Sequence, residues 1–356
     1  MIPHSACTIS SDDFDYIDQI IKMNHVGSGD LVKHFKESLK NSFGGEGVVL
    51  TNSGTNAIEL ALTQLKSGEP GKREVIVSAY TCPSVVNAII RTGLQPVLAD
   101  VMTDSMNICT DSVQEKFNSN TLTVISTHIA GRPDQCHVFE ELEIPWISDC
   151  CQAVGAELNG KPMTRYGAFS VISFGSTKPF TTGSGGALIV NDVAYLKNVE
   201  KQIKTELSPD EYLNGGYQVT DGQNFSDLNA GLGLSQLRKF PAFLKQRQRI
   251  CSLYTEEVLK LNLVKPNEHI GNGYRYYFLS DEADRWINHF RQNGIDARGS
   301  ISHDISQYFV EFKNLINVKY NASRLVSIPV HPMMSEDDVG KVLDCIQLGQ
   351  ELGFKK

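Results

Sequence analysis

The chain is 356 residues long, with 41% hydrophobic residues, 21% charged residues and a formal net charge of −8. That length suits two domains sharing a cleft, and that balance excludes a disordered chain. Acidic excess without a long basic run argues against nucleic acid as the main partner, and no apolar run approaches the ~20 residues that span a bilayer, so no membrane partner is expected.

The opening MIPHSACTISSDDFDYID carries acids where a secretory signal carries basic residues. Eight cysteines without a CxxC pair read as reduced thiols of a cytoplasmic protein. GVVLT (47–51) then reads as a strand and NAIELALTQL (56–65) as a helix, by the spacing of its apolar residues. EVIVSAY (74–80) reads as a buried strand, SVVNAIIRTG (84–93) as a helix stopped by Gly93, and PVLADV (96–101) as the next strand. LTVISTHI (122–129), PWISD (145–149) and GALIV (186–190) follow as strands. Strands alternating with crossover helices predict an α/β domain with a largely parallel sheet, whose ligands collect at the carboxyl ends of the strands. Small and polar residues stand at those ends: Ser53-Gly54-Thr55, Tyr80-Thr81, His128 and Asp149. Of these, His128 reads as a structural histidine.

The texture changes after residue 226. DLNAGLGLSQLRKFPAFLKQRQRICSLYTEEVLKL predicts a long helix interrupted near Pro241. YRYYFLS follows as a strand, DEADRWINHFRQNGI as a helix ending at Gly294, and Ser335 opens a closing helix with acids in its first turn. The boundary falls near residue 242, giving a large domain over 1–242 and a smaller α+β domain over 243–356.

Three dispersed features carry chemistry. Ser53-Gly54-Thr55 lies between a strand end and a helix start, where backbone amides and the helix dipole favour a phosphate; taken alone, the tripeptide reads first as a plain N-cap with a glycine turn. Asp149 ends a strand, with Gln152 three residues on; it suits a helix N-cap or a charge-assisted hydrogen bond to a protonated heteroaromatic nitrogen. Lys178, in SFGSTKPFTTGSGG (173–186), is a lone amine among small, hydroxylic and apolar side chains. It reads as a solvated loop lysine or as an amine whose pKa is lowered by its surroundings, able to form a Schiff base. Phosphate cradle, acid for a pyridine nitrogen and reactive lysine are together the parts that pyridoxal phosphate (PLP) needs.

These motifs, with VGSGDLVKHFKESLKNSFG, STHIAGRPDQC, WISDCCQAVGAELNGKP, GLGLSQL and VSIPVHPMMSEDDV, give the chain a nearly end-to-end resemblance to the DegT/DnrJ/EryC1/StrS family of PLP-dependent sugar aminotransferases. The resemblance implies fold type I: a large domain with a mostly parallel seven-stranded sheet flanked by helices, and a smaller α+β domain. It implies that Lys178 is the Schiff-base lysine and the acid/base of the proton shift, and that Asp149 holds the pyridinium nitrogen. It places Gln152 near the ring's phenolic oxygen, Gly54, Thr55 and Ser173 on the phosphate, and Asn224 on the phosphate of the neighbouring subunit of a homodimer. Where the family has an aromatic residue stacked on the ring this chain has Cys82, with Tyr80 nearby as the other candidate, and Ser184 stands where the family has a glutamate.

The implied reaction has two halves. An amino acid donor, usually glutamate in this family, leaves its amino group as pyridoxamine phosphate (PMP), and a nucleotide-linked keto-deoxysugar then takes it up. A cyclitol or other non-nucleotide ketone as acceptor, or a non-catalytic PLP-binding regulator, are the alternatives. No metal is expected. Arg298, His303 and His331 fall in the region of sugar and nucleotide contacts but read as surface or packing residues.

Overall fold

The computed structural model describes residues 1–22, 26–203, 224–261, 271–312 and 314–354. Its strands, in chain order, are β1 (Gly47–Thr51), β2 (Glu74–Ser78), β3 (Tyr80–Thr81), β4 (Gln95–Ala99), β5 (Thr121–Ser126), β6 (Ile147–Asp149), β7 and β8 (Glu157–Leu158 and Lys161–Pro162), β9 (Phe169–Ser173), β10 (Gly186–Val190), β11 (Tyr276–Leu279), β12 (His303–Asp304) and β13 (Leu325–Ile328). Seven of them form one sheet in the order β1-β10-β9-β6-β5-β2-β4. β10 runs antiparallel to β1 and β9, and the other neighbours pair in parallel. The fold is type I α/β, as expected.

The central strands are buried on both faces, which is why they read as continuous apolar runs rather than alternating ones. β9 escapes that reading because its FSVIS run carries a serine at a buried position, Ser170, and ends on the half-buried Ser173. Ser170 is fully buried, and its hydroxyl donates to the Tyr166 carbonyl at 3.0 Å and accepts from the Asn191 amide at 3.1 Å. On one face of the sheet, helix Gly54–Gly68 buries Ala57, Leu60, Ala61 and Leu65 in a core with Val49, Val77 and Leu188.

The predicted interruption at Pro241 is absent: one helix runs unbroken from Asp227 to Lys260. Proline costs that helix one backbone bond and a clash of its ring with the preceding turn, but packing on both sides outweighs this. Phe240 joins an aromatic core with Phe43, Phe174 and Phe180, while Ile250, Tyr254 and Val258 enter the core of the smaller part, with Trp286, Phe290, Val326 and Ile346. Residue 242 therefore falls inside a continuous helix. The chain's first residues also join that second core: Ile2 packs in it and donates its N–H to the Gly294 carbonyl at 2.7 Å.

Behind the N-terminus, a buried carboxylate ties helix Ser11–Lys22 to the long helix. Asp13 accepts from Ser235 (2.6 Å), Gln236 (2.9 Å), Lys239 (2.7 Å) and the Ser10 N–H (2.8 Å). Burial alone would raise its pKa, but these donors outweigh it and hold the carboxyl below its ordinary value. A depressed folded-state pKa contributes stability that is complete above the unfolded value, near 4, and is lost as pH falls through the folded value. Asp13→Asn is expected to destabilise the chain at pH 7 and to flatten the loss of melting temperature below about pH 4. Parallel acid titrations of Tm would coincide for the two proteins if Asp13 were unimportant.

Candidate active site

A cavity of about 160 Å³ opens at the carboxyl ends of β1, β6 and β9, with Gly54, Thr55, Asp149, Gln152, Ser173 and Lys178 all in its lining. Three larger hollows, of about 590, 580 and 250 Å³, lie elsewhere among the described residues and contain none of these groups. Size alone would point to the wrong place; the chemistry gathers in the smaller space.

Each residue is brought there by its element. Ser53 caps helix Gly54–Gly68, its Oγ accepting the Asn56 N–H at 3.1 Å, so the first turn of the helix faces the cavity. A Cβ on Gly54 would sit 2.8 Å from Cys151 Sγ and 3.0 Å from Ser173 Cβ. Gly186 is equally constrained, since a Cβ there would lie 2.5 Å from the Gly54 nitrogen. The glycine that opens β10 is therefore what lets that strand run against the helix start. Asp149 ends β6, and its Oδ1 accepts the Cys151 N–H at 3.0 Å across a turn, not at the start of a helix. Gln152 directs Oε1 to the Ala130 N–H at 2.9 Å.

Lys178 sits on a loop stapled from below. Phe174 and Phe180 face each other at 5.3 Å and pack against Phe35 and Phe240 at 5.4 and 5.3 Å. The Phe174 carbonyl accepts from the Thr182 N–H at 3.1 Å and the Thr181 hydroxyl at 2.9 Å. These phenylalanines hold the loop rather than surround the amine. The expectation of a lowered lysine pKa is overturned: burial does press it down, but Tyr274, Cys151, Asp149 and Cys82 outweigh burial and hold the ammonium above its ordinary value. Lys178 Nζ lies 5.6 Å from the centroid of the Tyr274 ring.

Of the two candidates for the ring-facing position, Cys82 lines the cavity. Tyr80 is buried, its Oη accepting the Ile301 and Ser302 N–H groups at 3.1 Å each, while β3 pairs with β12. Asn224 is exposed and outside this cavity's lining, three residues before the start of the long helix. His128 is structural, as expected: fully buried, it contacts Ser126, Ser148 and Asp134 in a strained turn with φ of 43° at His128 and 62° at Ala130. Arg298 is engaged by Asp296 at 2.7 Å, and His331 contacts the Pro3 carbonyl at 3.1 Å.

The donor set fits PLP. It offers an amine, a carboxylate at a strand end, amides at a helix N-terminus, hydroxyls on Thr55 and Ser173, and a glycine where a side chain would fill the cradle. Thr81 adds a hydroxyl: it lines the cavity, is fully buried, and its Oγ1 has no hydrogen-bond partner among the described residues. Sequence reasoning placed Thr81 at a strand end without giving it a role. It passed over Tyr274 entirely, because nothing local in YRYYFLS shows which strand end that residue reaches.

Comparison with known proteins agrees. The DegT/DnrJ/EryC1/StrS aminotransferase family model matches residues 8–347. The chain is 25% identical to the GDP-perosamine synthase of Vibrio cholerae, over 98% of both sequences. Its fold superposes on PseC of Helicobacter pylori, an aminotransferase involved in pseudoaminic acid biosynthesis, with a TM-score of 0.90, 20% identity and 99% coverage of each chain. The PMP form of Spr1654 from Streptococcus pneumoniae gives 0.87 at 20% identity, covering 99% of this chain and 98% of that one. The chain belongs to the DegT/DnrJ/EryC1/StrS aminotransferase family and is a PLP-dependent aminotransferase.

The crowding at Gly54 makes a direct prediction. Gly54→Ala is expected to weaken PLP binding by about tenfold or more, the equivalent of roughly 1.4 kcal/mol, in an equilibrium titration followed by absorbance. Gly68→Ala, with nothing within 4 Å of the added carbon, should bind as the parent does.

Proposed function

We propose that this aminotransferase moves an amino group from an amino acid, L-glutamate, to the keto group of a nucleotide-linked deoxysugar. The observation that carries the reading is the convergence of Lys178, Asp149, Ser173 and the Gly54-Thr55 turn on one cavity at the strand ends. The sugar class is supported by the similarity to a perosamine synthase and to the aminotransferase of pseudoaminic acid biosynthesis.

When bound, PLP supplies an aldehyde for an amine and a ring that accepts the electrons of a breaking C–H bond. In this reading Lys178 Nζ would hold the cofactor covalently and, as a free amine, would be the group that takes up and returns a proton in the site. Asp149 keeps the pyridine nitrogen protonated through a charge-assisted hydrogen bond. Gly54 and Thr55 amides and the Ser173 hydroxyl would hold the phosphate, with the helix dipole favouring its charge. Gln152, with Oε1 engaged by Ala130, has its amide N–H groups to offer the ring's phenolic oxygen.

The working unit is a homodimer, in which Asn224 of each chain reaches the neighbour's phosphate. Support for this is its exposure together with the anchoring beside it, where Asn229 Nδ2 donates to the Thr182 carbonyl of the lysine loop at 2.8 Å. A cytoplasmic setting agrees with eight cysteines that form no disulfide. No helix among the described residues is long and apolar enough to cross a membrane.

The test is the absorption spectrum of the protein with PLP, before and after L-glutamate. The expected result is a visible band that glutamate converts to the ultraviolet band of PMP, with no visible band in Lys178→Ala. A wild-type band that no amino acid discharges would contradict the transamination. An unchanged visible band in Lys178→Ala would contradict the role of the lysine.

A further inference from the structure

Thr81 stands at the wall of the cavity with a hydroxyl that the fold leaves unused. β3, which carries it, is two residues long and is tied down on both sides. Thr81 pairs with His303 and Tyr80 with Asp304 across β3 and β12. The Tyr80 hydroxyl accepts the Ile301 and Ser302 N–H groups at 3.1 Å each, and the Ala79 carbonyl accepts the Ile305 N–H at 2.8 Å. Toward the large sheet, the Ala79 N–H donates to the Ala99 carbonyl at 2.8 Å, and after Cys82 the chain enters helix Pro83–Arg91. Backbone so held cannot carry the hydroxyl to another partner, and threonine has a single stiff side-chain torsion with which to search.

The serine across the cavity is, by contrast, committed. Ser53 Oγ accepts the Asn56 N–H at 3.1 Å and donates to Asn56 Oδ1 at 3.0 Å. Of the buried side-chain polar atoms that lack a partner among the described residues, Thr81 Oγ1 alone belongs to a residue of this cavity's lining. A fully buried hydroxyl without a partner is costly, and such a group marks a place that a ligand completes. We infer that Thr81 is a further cofactor-binding residue, whose hydroxyl hydrogen-bonds to PLP bound in this cavity. Because β12 holds β3 in register, the smaller part of the chain helps to set where this hydroxyl stands.

This role rests on the cavity being the cofactor's, and two readouts separate it from a purely structural one. PLP is titrated by absorbance into the apoprotein of the full chain, and the apoprotein's Tm is measured alongside. Thr81→Val is expected to weaken PLP binding roughly three- to tenfold, the loss of one hydrogen bond. Its apoprotein should melt no lower than the parent's, since an unpaired buried hydroxyl has been removed. Parent-like affinity in Thr81→Val, with binding weakened in Gly54→Ala, overturns the role of Thr81 alone. Parent-like affinity in both variants overturns the cavity reading with it. A folded Thr81→Val apoprotein that melts below the parent also overturns the inference, because the hydroxyl then has a partner within the fold. If Thr81→Val does not fold, Thr81→Ser and Thr81→Ala, which differ only by the hydroxyl, decide it. Tighter PLP binding by Thr81→Ser is expected, and equal binding overturns the role.

Discussion

The structure turns on an ammonium that is held in place without being neutralised by a single partner. Lys178 is half-buried, and that burial works against its charge. What offsets it is spread over a phenol, a carboxylate and two thiols drawn from three separate stretches of chain. No member of that set is a tight ion-pair partner that would hold the amine back from chemistry. The geometry depends on the loop beneath, where aromatic packing of Phe174 and Phe180 fixes residues whose backbone alone would not stay.

Two parts of the chain meet at the lysine loop. The strand ends of the large sheet supply the Gly54-Thr55 turn and Asp149, while the 271–275 segment, anchored through Asn272, brings the Tyr274 ring to 5.6 Å from Lys178 Nζ. The long helix Asp227–Lys260 joins the two cores without a break, so the parts are coupled by continuous backbone as well as by side chains. Its N-terminal end packs beside the lysine loop through Asn229 and Thr182.

Much of this was legible in the sequence. Long apolar runs, a serine cap and glycines at strand ends are local signals, and they gave the sheet, helix Gly54–Gly68 and six of the site residues in one cavity. What failed to read was what depends on distant partners. FSVIS holds Ser170, whose hydroxyl finds a buried acceptor and a donor, so its polarity hides a core strand. Pro241 signals a break that packing from two cores overrides. The apolar letters around Lys178 suggested a lowered pKa, yet those rings point into the core and the charges that decide the shift come from elsewhere in the chain. Tyr80 and Cys82 could not be separated until the Ile301 and Ser302 amides were seen to claim the tyrosine hydroxyl.

The most direct test of the account is borohydride reduction of the protein incubated with PLP, followed by peptide mapping. The account predicts a phosphopyridoxyl group on the peptide carrying Lys178 and on no other. A label on a different lysine, or a reduced protein with no label, would contradict it.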